Sequence, residues 1–346
     1  VQRVLQYALV GALLALFAVA LLYPIWLTVQ TGFFKDVARP PSIGQALRGE
    51  GLTLRHIALV FRDPTTREGL LNAAGIALWT TVLSTLIALP LAIFSSQYSY
   101  RFKRVWDALV LVPLILPPFV GALGLRAILG RAGALNALLG TEIDFLGGAP
   151  FWGVVIALAL HLYPIIYLNL AAALANLDPS LEEAADIAGA SPWTRFWRIT
   201  LPLIRPGLFA GGSVVLIWSF TELGTPLVFD FYNVTSVQIF YGIQEMETTA
   251  RPYALTFVML VMAILLYSVG KWSIGRQQEA ASMRAFRGRE MARLRPSGQF
   301  AANLSFGVVT ALAILPHLGV ILISLGEPGS WFHSVVPTDW TTGNYE

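Results

Sequence analysis

Three ionisable side chains, Arg126, His161 and Glu222, fall inside stretches that are otherwise apolar. A charge in hydrocarbon is expensive, so such residues face a cavity, face one another or serve a transport path. Arg126 and Glu222 have opposite signs and could pair, while a neutral His161 could bridge helices. The competing reading sets Glu222, within Ser219-Phe220-Thr221-Glu222-Leu223-Gly224, on a translocation path. No constellation resembles an intramembrane enzyme. An H-E-x-x-H site is missing, and His56, His161, His317 and His333 are scattered, the last two expected at opposite ends of the final apolar run. A chain without cysteine has no thiolate metal site, thiol nucleophile or disulfide. Nucleotide binding through G-x-x-x-x-G-K-[ST] is not encoded either, because the Gly270-Lys271 pair is followed by Trp272. Neither a catalytic residue nor a directly bound cofactor or metal is expected.

The elements that hold these residues are of membrane length. The 346-residue chain is 56% hydrophobic and 12% charged, with a mean hydropathy of +0.65, against about 25% charged residues in a soluble domain. A bilayer-spanning helix takes about 20 mainly apolar residues. Seven stretches qualify: Val4–Val29, Leu71–Phe94, Trp106–Leu129, Phe151–Leu174, Gly207–Phe229, Ala254–Lys271 and Phe300–Leu325. The expected fold is therefore an all-α integral membrane protein. The first stretch is too long for the core of a signal peptide and lacks a small-x-small cleavage site before Tyr23-Pro24. Pro113, Pro117 and Pro118 lie near the middle of the third, where they remove backbone donors and force a kink or a break. Broken helices line many transport paths, which makes Pro117 and Pro118 candidates for such a lining.

The pI of 9.2 comes from Arg and Lys gathered between apolar runs, a topology signal rather than a nucleic-acid stripe. With the N-terminus inside, Arg101, Lys103, Arg104, Arg195, Arg198, Arg205 and the basic run from Lys271 to Arg295 all become cytoplasmic. The segment Gly32–Gly69 opposes this, since its Lys and Arg residues would lie outside, interleaved with Asp36, Glu50, Asp63 and Glu68. Residues 275–299 are polar and basic and read as a cytoplasmic linker between six spans (residues 1–274) and a seventh (300–346). The seventh is followed only by Trp331–Glu346, so a continuation beyond the given sequence is expected.

The most informative segment, residues 176–206, contains two helix starts in succession. Asp178 can cap the first N–H groups with Pro179 at the first helical position, where its missing donor is harmless. Glu182 and Glu183 suit the positive end of the dipole. Gly189 supplies a left-handed residue to end that helix, and Ser191-Pro192 repeats the cap-and-proline start. Alanines 184, 185, 188 and 190 leave the backbone open to close approach, while Trp193, Phe196 and Trp197 offer aromatic anchors. A docking element and an amphipathic hairpin on the membrane surface are equally served by this chemistry. A channel or receptor would carry the second.

Glu183-Ala184-Ala185, Gly189 and Ile199-x-Leu201-Pro202 match the E-A-A, G, I-x-L-P loop of binding-protein-dependent transport permeases, the membrane subunits of type I ABC importers, which this sequence resembles. The resemblance implies a six-helix permease core. It also implies that Glu183, Ala184, Ala185, Gly189, Ile199, Leu201 and Pro202 form coupling helices seated in a cytoplasmic ABC ATPase dimer. ATP and Mg would be bound by that partner, and solute would arrive on a periplasmic or lipid-anchored binding protein. The implied location is the bacterial cytoplasmic (inner) membrane, multi-pass and surrounded by lipid, with no role for nucleic acid. Leu116-Pro-Pro-Phe-Val-Gly-Ala-Leu-Gly124 and Gly130–Asn136 are most similar to permeases for ferric iron, commonly fused duplications, and Ser219–Gly224 is similar to the acid-aromatic-glycine stretch of iron(III) and oxyanion permeases with Leu223 in place of the aromatic. Ferric iron or another small solute is the implied cargo, and the seventh span would open a second half.

Overall fold

The computed structural model describes residues 2–35, 44–45, 48–49, 51–146, 148–243, 249–274 and 292–346. Most of the expected linker, 275–291, lies outside the described residues, as do Asp36 and Glu50. The fold is all-α, with seven helical spans among the described residues: Leu5–Thr31, Pro64–Gln97, Pro118–Leu139, Pro150–Ala175, Pro192–Thr221, Arg251–Trp272 and Pro296–Leu325. Among the described residues the one sheet is a parallel pairing of Tyr98–Ser99 with Ala292–Arg293.

The chain divides into two compact units, one of residues 1–72 and 232–264, the other of 73–231 and 265–346. In the first, Asn72 Nδ2 donates to the Asn233 carbonyl (2.8 Å), Gln238 Nε2 donates to the Thr65 carbonyl (2.9 Å), and Arg251 pairs with Asp63 at 2.9 Å. The Phe33 and Phe257 rings meet edge to face, centroids 4.9 Å apart. The apolar window of the first span buries none of its residues. In water such a helix would be untenable; in a bilayer lipid solvates it.

The second unit is organised around the fourth span, Pro150–Ala175, whose Leu158, Leu162, Tyr163, Ile166, Leu170 and Leu174 are fully buried. Lipid tails are as apolar as leucine, so helices associate here through close backbone approach at small residues. Gly207 and Gly211 on the fifth span provide it: a Cβ on Gly211 would lie 2.8 Å from Ile166 Cα. Gly124 and Gly319 do the same where the third and seventh spans cross, each without room for a Cβ.

Two of the expected spans are interrupted. Trp106–Leu129 breaks at its prolines, as expected, into a Lys103–Leu109 helix, a 3₁₀ turn Val112–Ile115 and a second helix Pro118–Leu129. A residue before proline is pushed out of the helical region. With two prolines in a row, both Leu116 (ψ 149°) and Pro117 (ψ 148°) are extended. Isolated Pro164 leaves the fourth span helical by contrast. The fifth span ends at Thr221, earlier than the expected Phe229, because Glu222 turns extended (ψ 130°) ahead of a separate Gly224–Val228 helix.

Candidate functional site

The loop before the fifth span follows its local signals. Asp178 accepts from the Ser180 N–H at 2.9 Å and Pro179 opens the Pro179–Ile187 helix. Gly189 then takes φ +76°, and the Ala190 N–H reaches back to the Ala185 carbonyl at 3.0 Å, closing the helix in the left-handed manner. Ser191 accepts from the Thr194 N–H at 3.2 Å and Pro192 opens the second helix. Arg195 clamps both oxygens of Asp186 at 2.7 Å, fastening one helix to the other.

The second helix is not separate from the span expected to begin at Gly207. Pro192–Arg195 passes through a π-helical turn, Phe196–Thr200, straight into Leu201–Thr221. Pro202 has no N–H and its ring would strike the carbonyl four residues back. A π turn at that place moves the carbonyl aside, so the helix continues into the span as one rod.

This geometry splits the seven loop residues into two groups. Glu183, Ala184 and Gly189 are exposed, beside Ile187 (89% exposed) and Trp193 (71%). Ala185 is buried, and Ile199, Leu201 and Pro202 are half-buried. The first group forms an outward surface; the second holds it to the span.

At the opposite end of the second unit lie the ionisable residues. Arg126, in the last turn of Pro118–Leu129, pairs with Asp230 at 2.7 Å and donates to the Val228 carbonyl. Glu222 does not supply the expected ion pair: its Oε1 accepts from the Thr225 N–H (3.2 Å) and hydroxyl (3.3 Å), capping the Gly224–Val228 helix. The sequence reading missed Asp230, although an acid between Phe229 and Phe231 at the edge of an apolar run is a visible signal. Arg126 and Asp230 line an open cavity of about 590 Å³ with Arg131, Asp144, Trp331 and Phe332. The two helix breaks touch, since a Cβ on Gly224 would sit 2.5 Å from Phe119 Cβ.

His161 faces Trp218 edge-on at 6.5 Å and shares a cavity of about 10 Å³ with His317, Pro113 and Pro118, room for about one water. His317 is not at an end of the seventh span but inside it, after Pro316, with Nε2 3.1 Å from the Val112 carbonyl. Pro117 is exposed and Pro118 half-buried. No group of three or more metal-ligating side chains occurs among the described residues.

Relatives place this architecture. The sequence is 27% identical over 291 residues to the ferric transport system permease protein FbpB of Actinobacillus pleuropneumoniae, covering 81% of this chain and 40% of that protein. It is 31% identical over 209 residues to the molybdenum transport system permease protein ModB of Mycobacterium bovis, covering 59% and 78%. The chain thus spans well under half of the ferric relatives, 40% of one and 34% of another. The fold matches a bacterial ABC transporter involved in import of the acidic polysaccharide alginate, with a TM-score of 0.61 at 17% identity over 80% of this chain and 97% of that one. The chain is a multi-pass, non-enzymatic membrane component, and with residues 71–279 matching the family model it belongs to the binding-protein-dependent transport system inner membrane components.

Proposed function

We propose that this chain is a permease of an ATP-driven importer, coupled to a separate cytoplasmic ABC ATPase dimer through residues 176–206. Residues 1–274 serve as one permease half, 275–299 as a basic cytoplasmic linker and 300–346 as the opening of another. The observation that carries the coupling is the outward surface of the double-capped loop. Glu183, Ala184 and Gly189 stand exposed beside Ile187 and Trp193, and the second loop helix runs unbroken into the fifth span. A push on that surface would be delivered to the membrane core along a rigid helix. ATP and Mg belong to the ATPase.

The path runs beside the two adjoining breaks, Leu116–Pro118 and Glu222–Leu223, with Pro117, Pro118, His161 and Glu222 along it and Arg126 at its outer mouth. A periplasmic or lipid-anchored binding protein delivers the solute, and the likeness to ferric permeases supports ferric iron or another small solute as that cargo. The N-terminus is cytoplasmic and the location a bacterial inner membrane, in keeping with the basic residues on the loop side. Mild-detergent capture of the full-length protein from its native membrane, with mass spectrometry of what is retained, tests the reading. Recovery of a P-loop ATPase supports it. Recovery of none, under conditions that preserve a control importer, rejects it in favour of a channel or receptor whose 176–206 hairpin lies on the membrane.

A further inference from the structure

The segment just before the proline break is held by an unusual number of side chains from other elements. Asp107, on the Lys103–Leu109 helix, accepts at Oδ1 from Ser95 Oγ of the second span (2.6 Å) and from Tyr167 OH of the fourth (2.9 Å). At Oδ2 it pairs with Lys103 Nζ, 2.7 Å away. One turn back along the fourth span, Tyr163 OH donates to the Val110 carbonyl at 3.4 Å. From the seventh span Asn303 Oδ1 accepts from Trp106 Nε1 at 2.7 Å, and His317 reaches the Val112 carbonyl. Two residues beyond Ser95, Gln97 Nε2 donates to Glu182 Oε1 of the loop helix at 3.2 Å. The last turn of the second span is therefore held at both sides, by Gln97 to Glu182 of the loop helix and by Ser95 to Asp107, and the helix of Asp107 leads within a few residues to the extended pair Leu116–Pro117.

We infer that Asp107 is the joint by which movement of the Pro179–Ile187 helix is passed to the proline break. The inference rests on the proposed docking of an ATPase on that helix. Three features fit a joint rather than a mere staple. Its donors come from two different spans, so neither can shift without pulling on the carboxylate. Hydrogen bonds to a charged acceptor are the stronger kind, which makes the contact stiff. Beside it, Tyr100 is buried with a hydroxyl that has no partner, its phenol pushed up by burial and then by the negative charge of Asp107. A buried donor without an acceptor, next to a carboxylate already served by three donors, stands ready to replace any donor that a movement pulls away. Coupling requires two such arrangements, not proximity alone.

The absence of cysteine makes a clean test possible. Leu123, on the helix beyond the break, lines the 590 Å³ cavity, and Leu123→Cys can be labelled with a membrane-impermeant maleimide in the full chain copurified with its ATPase. With Asp107 intact, ATP plus vanadate should change the labelling rate about five-fold or more, the lower range of measured couplings. In Asp107→Asn that ratio should fall toward one while the amount of bound ATPase stays the same. Gln97→Ala, which cuts the chain at the loop side, should move it in the same direction. Tyr167→Phe removes one donor to the same oxygen and reads the same ratio should Asp107→Asn fail to reach the membrane. A full nucleotide response in Asp107→Asn with ATPase bound overturns the inference, as does a lack of response in the Asp107 protein with ATPase bound. Loss of ATPase from every variant, Asp107 intact included, instead overturns the proposed function and the inference with it.

Discussion

Two ion pairs of the second unit, Lys103–Asp107 on the loop side and Arg126–Asp230 beside the large cavity, are built to opposite effect. At the loop end, Lys103 and Asp107 keep 21% and 32% side-chain exposure, and Ser95 and Tyr167 complete the carboxylate's partners. At the other end, Arg126 and Asp230 are 51% and 54% exposed beside the large cavity. Water screens the second pair and competes for its hydrogen bonds, so that it can part at little expense, whereas the first must move as a body or break several bonds together. The difference assigns stiffness to the end that would receive force and looseness to the end that would open.

The largest effect belongs to the loop surface. Gly189→Asp sets a charged side chain at a left-handed position on the exposed face, and Glu183→Lys reverses a charge there. Either should reduce ATPase copurification at least about ten-fold, as loss of a central interface contact does, without altering the elution profile of the membrane part. Normal copurification and transport in both would end the coupling assignment. Next comes Asp107→Ala, which strands the donors of Ser95, Tyr167 and Lys103. It should lower stability by about 2 kcal/mol, seen as earlier thermal unfolding in detergent, and an effect within error would remove the contrast between the two ends. Asp178→Ala loses one cap and should cost about 1 kcal/mol, read as faster hydrogen exchange confined to 179–187. The smallest is Arg126→Gln, where an exposed pair should contribute less than about 1 kcal/mol. A large destabilisation here would show the cavity end to be as tightly locked as the loop end.

Much of the fold was legible in the residues, for local reasons. Seven apolar runs became seven spans, and the loop caps Asp178 and Ser191 and the left-handed Gly189 fell where their chemistry places them. Boundaries failed where one element continued into another. The loop helix that starts at Pro192 continues into the fifth span, whose apolar run begins only at Gly207, and the π turn that joins them is not visible in residue types. In the third span the prolines marked the break, while hydropathy does not register that both Leu116 and Pro117 are extended there.

Local sequence by itself determined the membrane character of the chain, the position of its spans and the double-capped loop, since each depends on residues within a few positions of one another. Tertiary structure alone decided which charge meets which. Arg126 took Asp230, 104 positions along the chain by residue number, while Glu222 turned to cap its own short helix. Asp107, unremarked at the edge of an apolar run, became the meeting point of Ser95 and Tyr167 only after the second and fourth spans packed around it. Helix starts are set by backbone groups that must find partners nearby, whereas an ion pair inside a membrane protein is settled by whichever opposite charge the packed helices bring within reach.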